Sequence, residues 1–188
     1  EALASANALK CFSGHRYQAR WQLMDNHQDL PLLRKVKEHH PDQLKAPNAI
    51  DALTEDYASL RLSLDQHPIG LLRQAGLLKG CLATSQLAQK NHKSLVTVAG
   101  LVTGRQRPGT AAGVTFITLE DETGNTNLVV WIGTARAQKK AYLNATILKV
   151  KGILERDPQS QVTHVIAGKL IDCSHLLEQV KVHSRDFH

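Results

Sequence analysis

The most constraining stretch of the chain is Val114 to Trp131, VTFITLEDETGNTNLVVW. Val114 to Leu119 is rich in β-branched and aromatic residues, which fits a half-buried strand. Asp121 to Gly124 (DETG) is a tight turn in which glycine supplies a positive φ. Asn127 to Trp131 returns as the partner strand. Alternation sorts the side chains by face. Ile117 and Leu119 share one face with Leu128 and Val130. Phe116 and Thr118 take the other, with Asn127, Val129 and Trp131. If the aliphatic set is core, two large aromatics lie open beside a loop carrying Arg105 and Arg107. Such a surface can stack unpaired bases and hold their phosphates; it can equally be core or edge cover.

The surrounding strands decide how much that hairpin means. From Ser94 the hydrophobic period changes from helical to alternating. Leu95 to Val102 reads as a strand with Gly100 inside it, where barrel strands often bend. Ile132 to Tyr142 is a short polar helix. Thr146 to Leu154 is a strand with Leu148 and Val150 on one face and Lys149 and Lys151 on the other, interrupted by Gly152. DPQSQ turns the chain and Val162 to Ile171 closes the set. Three strands, a helix and two strands, all short, is the order of the OB-fold, a five-stranded barrel that binds single strands and oligosaccharides on strands two and three. The expected class is α+β: an all-helical N-terminal segment followed by an OB-fold β-barrel over 93–173. The expected nucleic-acid contacts are Arg105, Arg107, Phe116, Asn127, Trp131, Lys149 and Lys151.

Upstream, Glu1 to Phe12 is helical, Ser13-Gly14 breaks it, and His15 to Leu23 resumes, with Tyr17, Trp21 and the stem of Arg20 available for packing. This segment, 1–24, is either an ordinary helical hairpin or part of a helix-hairpin-helix that holds phosphates on backbone amides. Residues 25–50 are polar and carry three prolines, as a linker or extended wrap would. Within them Gln28 to Leu33 (QDLPLL) resembles a sliding-clamp peptide with Leu33 where an aromatic is usual; hydrophobic wrap is the alternative. Residues 51–92 form a helical connector. In it a helix is expected to start at Thr54, Pro68 biases His67 away from helix, and a short amphipathic helix ends near Gly76. Residues 174–188 are a tail.

The chain of 188 residues carries 23 Lys+Arg against 17 Asp+Glu, a net charge of +6 that admits a polyanionic partner without demanding one. Three distant cysteines without a CxxC pair suit a reduced, cytoplasmic protein. Nothing reads as a membrane span or signal peptide. The chain starts on a helical pattern at Glu1 without Met, as a piece of a longer protein would. No metal motif is present among its ten histidines. Glu120, Asp121 and Glu122 could gather a Mg²⁺ ion, although acidic residues are common at turns. No nucleophile elbow or phosphate-binding glycine loop occurs, so the chain has no catalytic constellation of its own.

RQRPGTAAGVTFITLEDETGNTNLVVW, DYASLRLSLDQHPIGLLR and the terminal SRDFH together resemble the C-terminal part of bacterial error-prone DNA polymerases, the damage-inducible C-family relatives of the replicative α subunit. The resemblance covers nearly the whole chain. It implies the tail of a helix-hairpin-helix region, an OB domain near the single-stranded template, and a parent enzyme active in translesion synthesis and induced mutagenesis. The parent's catalytic aspartates and their Mg²⁺ would lie upstream. Implied partners are single-stranded DNA, a catalytically dead Y-family-like mutagenesis protein that contacts the clamp, and a RecA-like accessory protein. Sliding-clamp contact would then be indirect, in keeping with Leu33. Arg185, Asp186, Phe187 and His188 of the tail would dock to a partner protein. A docking module with little DNA binding of its own is the competing reading.

Overall fold

The computed structural model describes residues 1–24, 44–60, 63, 65–109, 113–157 and 162–177. The QDLPLL segment and the SRDFH tail, with Arg185, Asp186, Phe187 and His188, lie outside the described residues. Two compact units are present, one over Glu1–Gln66 and one from His67 onward, so the span 51–92 is shared between them.

The first unit is helical: α1 (Ala2–Ser5), α2 (Lys10–Ser13), α3 (Arg16–Met24) and α4 (Ala49–Leu60). The expected first helix is thus two single turns, separated at Asn7, whose φ is +58°. Gly14, at φ +84°, makes the break before α3. Helix α4 starts five residues before Thr54, because the Asn48 side chain accepts the backbone N–H groups of Ile50 and Asp51 at 3.0 and 2.8 Å. The packing differs from expectation as well. Trp21 stays exposed, while Arg16 and Ala19 are buried. Arg16 can be buried because its guanidinium pairs with Asp56 and donates to the Ser5 carbonyl at 3.2 Å. Arg20 reaches Glu55 at 2.6 Å.

The second unit contains α5 (Pro68–Gln74), α6 (Thr84–Leu87), β1 (Leu95–Gln106), β2 (Thr115–Asp121), β3 (Gly124–Val130), α7 (Ile132–Ala137), α8 (Lys139–Asn144), β4 (Ile147–Arg156) and β5 (Thr163–Asp172). The strands close as a barrel in the order β1-β2-β3-β5-β4, with β3 and β5 parallel and the other pairs antiparallel. Closure leaves no free sheet edge. The alternation read in the hairpin holds: Ile117, Leu119, Leu128 and Val130 are all buried, and they join Val96, Leu148, Val150 and Leu154 in one core. Gly124 takes φ +141° at the turn. The single helix expected after β3 is two, broken at Gln138, whose amide accepts Leu170 N–H at 2.7 Å and donates to Gly168 O at 3.1 Å. That exchange fastens the helices to β5.

Helices α5 and α6 are stapled to the tip of the β2–β3 hairpin. Arg73 bonds Glu122 at 2.6 Å and the Cys81 carbonyl at 2.7 Å. Buried Asp121 accepts Thr84 N–H and both donors of Thr123, each at 2.7 Å. Its carboxylate is also 3.8 Å from Arg73, close enough for charge pairing but too long for a hydrogen bond. Burial pushes the Asp121 pKa up, but the bonds from Thr123 and Thr84 outweigh it and hold the group below the ordinary aspartate value.

His67 caps α5: its backbone is extended and its Nδ1 accepts Ile69 N–H at 3.2 Å, with Pro68 at the first helical position. Nδ1 can accept only in the neutral ring. Burial lowers the His67 pKa, and the facing carboxylates of Glu120, Glu122 and Asp121 offset that only in part. The folded chain therefore binds this proton less readily than the unfolded chain, and stability is full above the unfolded value of about 6.5 and declines as pH falls below it. Asp121 acts the other way in site but with the same sign: its contribution is present above about pH 4 and is lost as pH falls through its depressed value. The melting temperature of the barrel should accordingly step down by a few degrees between pH 7 and 5, and again below pH 4. His67→Asn, which keeps a cap acceptor without a titrating ring, should flatten the first step alone. An unchanged profile in that variant would remove His67 from the account.

Candidate nucleic-acid interface

The outward face of β2–β3 carries the two aromatics. Phe116, opposite Val129, is 41% exposed, and Trp131 is 52% exposed. Strand β3 ends at Val130, but Trp131 keeps an extended backbone (φ −71°, ψ 150°) as the cap of α7, so the alternation carries it to the same side as Val129. The rings stand diagonally across the strand pair, the spacing at which large side chains cover adjacent patches of one surface. Asn127 is exposed on the next row, where its Oδ1 accepts the Thr118 hydroxyl at 3.3 Å.

The expected cations fare differently. Strand β1 runs to Gln106, four residues beyond the expected end, and its register with β2 slips between Val102 and Gly104. The slip sets Arg105 opposite inward-facing Ile117. Its guanidinium then donates to the carbonyls of Tyr142, at 3.0 Å, and Ala145, closing the end of α8. Arg105 is therefore a helix-end clamp, engaged before any phosphate arrives. Arg107 remains exposed at the mouth of a cleft it shares with Arg136 and Lys139, two cations that the sequence reading passed over. Lys149 and Lys151 do point outward, but on β4, which β1 separates from β2 on one side and β3 and β5 on the other. They form a second basic patch with Lys169, which is paired to Lys151. The seven expected contacts thus divide between two sides of the barrel.

Between these basic regions runs a feature missed in the sequence. Phe116, Val129, Ile166, Ile153 and Leu95 are successive cross-strand partners over β2, β3, β5, β4 and β1. All five face out, and Ile153 and Leu95 are 44% and 79% exposed. The signal was the outward phase of Ile153, shared with Lys149 and Lys151; only the strand order shows what it continues.

The carboxylates of the turn do not make a metal site. Asp121 and Glu122 are spent on Thr84, Thr123 and Arg73, and among the described residues no group of three metal-ligating side chains converges.

A family described as an OB-fold nucleic acid binding domain matches residues 96–171. The error-prone DNA polymerase of Vibrio parahaemolyticus is 60% identical over 188 residues, which are 100% of this chain and 18% of that protein. That of Vibrio campbellii is 58% identical over the same shares. Among solved structures, asparaginyl-tRNA synthetase from Pyrococcus horikoshii complexed with asparaginyl-adenylate aligns over 51% of this chain and 23% of its own, at 21% identity and a TM-score of 0.43. The chain spans 18% of the length of the polymerases it matches. Identity of 60% and 58% over all 188 residues, joined to the closed five-stranded barrel, places the chain in the error-prone DNA polymerase family, as a segment whose barrel is an OB-fold nucleic-acid-binding domain.

Proposed function

We propose that the barrel holds single-stranded DNA for an error-prone polymerase engaged in translesion synthesis and damage-induced mutagenesis, in the cytoplasm. The observation that carries the reading is the pair of solvent-open rings, Phe116 and Trp131, beside the Arg107 edge. Bases stack on the rings while cations take the phosphates, a mode that tolerates any sequence, as synthesis across damaged templates requires. Nucleotide addition, with its Mg²⁺, belongs to parts of the parent protein outside this chain.

The test is fluorescence anisotropy of a labelled oligonucleotide at low and physiological salt. Each of Phe116→Ala and Trp131→Ala should weaken binding about tenfold, within the ~1–3 kcal/mol that a base–aromatic stack contributes. Melting temperatures should stay put, because both side chains are open to water. An unaltered affinity in the double variant would sink the platform.

A second reading has its own observation. The apolar row continues from Phe116 over β5 and β4 to Ile153 and Leu95, beyond the reach of a platform on β2–β3. That continuation suits the protein-docking role, with a Y-family-like or RecA-like mutagenesis protein as partner and the sliding clamp contacted through it. Loss of the platform in the test above would transfer the whole row to this role.

A further inference from the structure

The cleft beside the platform has a chemistry of its own. It measures about 350 Å³ and lies where the end of the β1–β2 loop meets α7 and α8. Three cations from three elements line it: Arg107 after β1, Arg136 on α7 and Lys139 on α8. None of them has an ion pair or side-chain hydrogen bond within the described residues, and no carboxylate lines the cleft. Its wall holds the hydroxyls of Thr115 and Tyr142, 2.9 Å apart. One of those protons serves their mutual bond, which leaves the other for a ligand oxygen. Gly113, at φ +83°, brings the loop against Ile132; a Cβ there would stand 3.1 Å from Ile132 Cδ1. The remaining lining is apolar, as suits a sugar or base edge.

We propose that this cleft binds a phosphate monoester, either the terminal phosphate of a DNA strand lying on the aromatic platform or that of a free nucleotide. A monoester carries a charge of about −1.5 to −2 and three acceptor oxygens. Three separate cations and a hydroxyl donor match it better than they match the single charge of a bridging phosphodiester. The cleft is of the size of one nucleotide, and its three cations suit the extra charge that a phosphate carries at a strand end.

The strand-end version rests on the single-strand reading above; the free-nucleotide version does not. Anisotropy of three oligonucleotides of one sequence, bearing a 5′-phosphate, a 3′-phosphate or neither, is compared on the whole chain, alongside calorimetric titration with dAMP. A strand end in the cleft gives about tenfold tighter binding of one phosphorylated form. Arg136→Ala/Lys139→Ala should erase that difference while the unphosphorylated strand binds as before; Arg107→Ala should erase it as well, with a weaker hold on every strand because Arg107 also edges the platform. Saturable dAMP binding that the same variants abolish, with no difference among the strands, assigns the cleft to a free nucleotide. Equal affinity for the three strands together with no dAMP binding overturns the proposal, whether or not the platform itself binds DNA. Failure of the platform instead shows as no binding of the unphosphorylated strand, with the dAMP arm unaffected.

Discussion

Gly152→Ala is expected to prevent the barrel from closing. Gly152 lies on β4 between Val96 of β1 and Ala167 of β5, at the point where the β4–β5 register slips. A Cβ built there would stand 2.2 Å from the Ile166 carbonyl oxygen and 2.7 Å from Val165 Cγ1. The oxygen is backbone, held by strand pairing on both sides of β5, so relief requires β4 and β5 to separate and lose ladder bonds. Overpacking a core commonly costs about 1–3 kcal/mol, with more where the obstacle cannot move. A loss of about 3 kcal/mol or more is therefore expected, far above the ~0.4–1 kcal/mol that alanine gains by stiffening the unfolded chain. Urea unfolding followed by Trp131 fluorescence, in a Trp21→Phe background that silences the other unit, reads the effect. Gly104→Ala is the control, since its Cβ would meet Thr118 at an ordinary 3.8 Å. Equal urea midpoints for Gly152→Ala and the parent would refute the close-approach argument.

In the helical unit the largest effect should come from Asp56→Ala. Arg16 and Asp56 are 1% and 4% exposed and face each other as an ion pair. Asp56 also accepts the Ser63 hydroxyl at 3.1 Å, while Glu55 lies 3.7 Å from the same guanidinium. Removing Asp56 leaves the buried cation in a site with little water and with Glu55 alone as counter-charge, at a distance too long for a hydrogen bond and shared with Arg20. Breaking a buried pair from one side costs about 3–5 kcal/mol. Helical circular dichroism during urea unfolding should show an early loss belonging to this unit. Glu55→Gln should cost far less, because Glu55 is partly open to water. Arg16→Met with Asp56→Leu should recover much of the loss, since an apolar pair of similar volume avoids the desolvation that the ion pair bears. If Asp56→Ala unfolds with the parent, the pair is not what holds α3 against α4.

The barrel was legible because alternation is a local property. Ile117, Leu119, Leu128 and Val130 sort themselves within their own hairpin, and the glycines at 100 and 152 could be read as interruptions within strands, whereas the close approaches they permit appear only once the strands are paired. The site was less legible because it depends on pairing. A one-residue slip after Val102 turned Arg105 from a loop cation into a helix clamp. The order of closure put Lys149 and Lys151 on a different side from Phe116, although each was correctly read as facing out. The carboxylates of Glu120 to Glu122 suggested a metal from composition, whereas their donors, Arg73 and Thr84, come from far upstream. In the helical unit, size misled: Trp21 is the larger apolar group, yet Arg16 has the partner that makes burial tolerable.

The staple between α5, α6 and the hairpin tip sets where this barrel can be cut. The matching family domain begins at residue 96, but Thr84 supplies a bond to Asp121, Leu82 bridges to Val98, and Ile69 and Leu72 are buried. An excision at the family boundary would remove Ile69 and Leu72, bare the barrel surface they pack on and strip Asp121 of its Thr84 donor. The transplantable module is thus longer than the five strands. Any transfer of the barrel into another protein should start at His67, where the second unit itself starts.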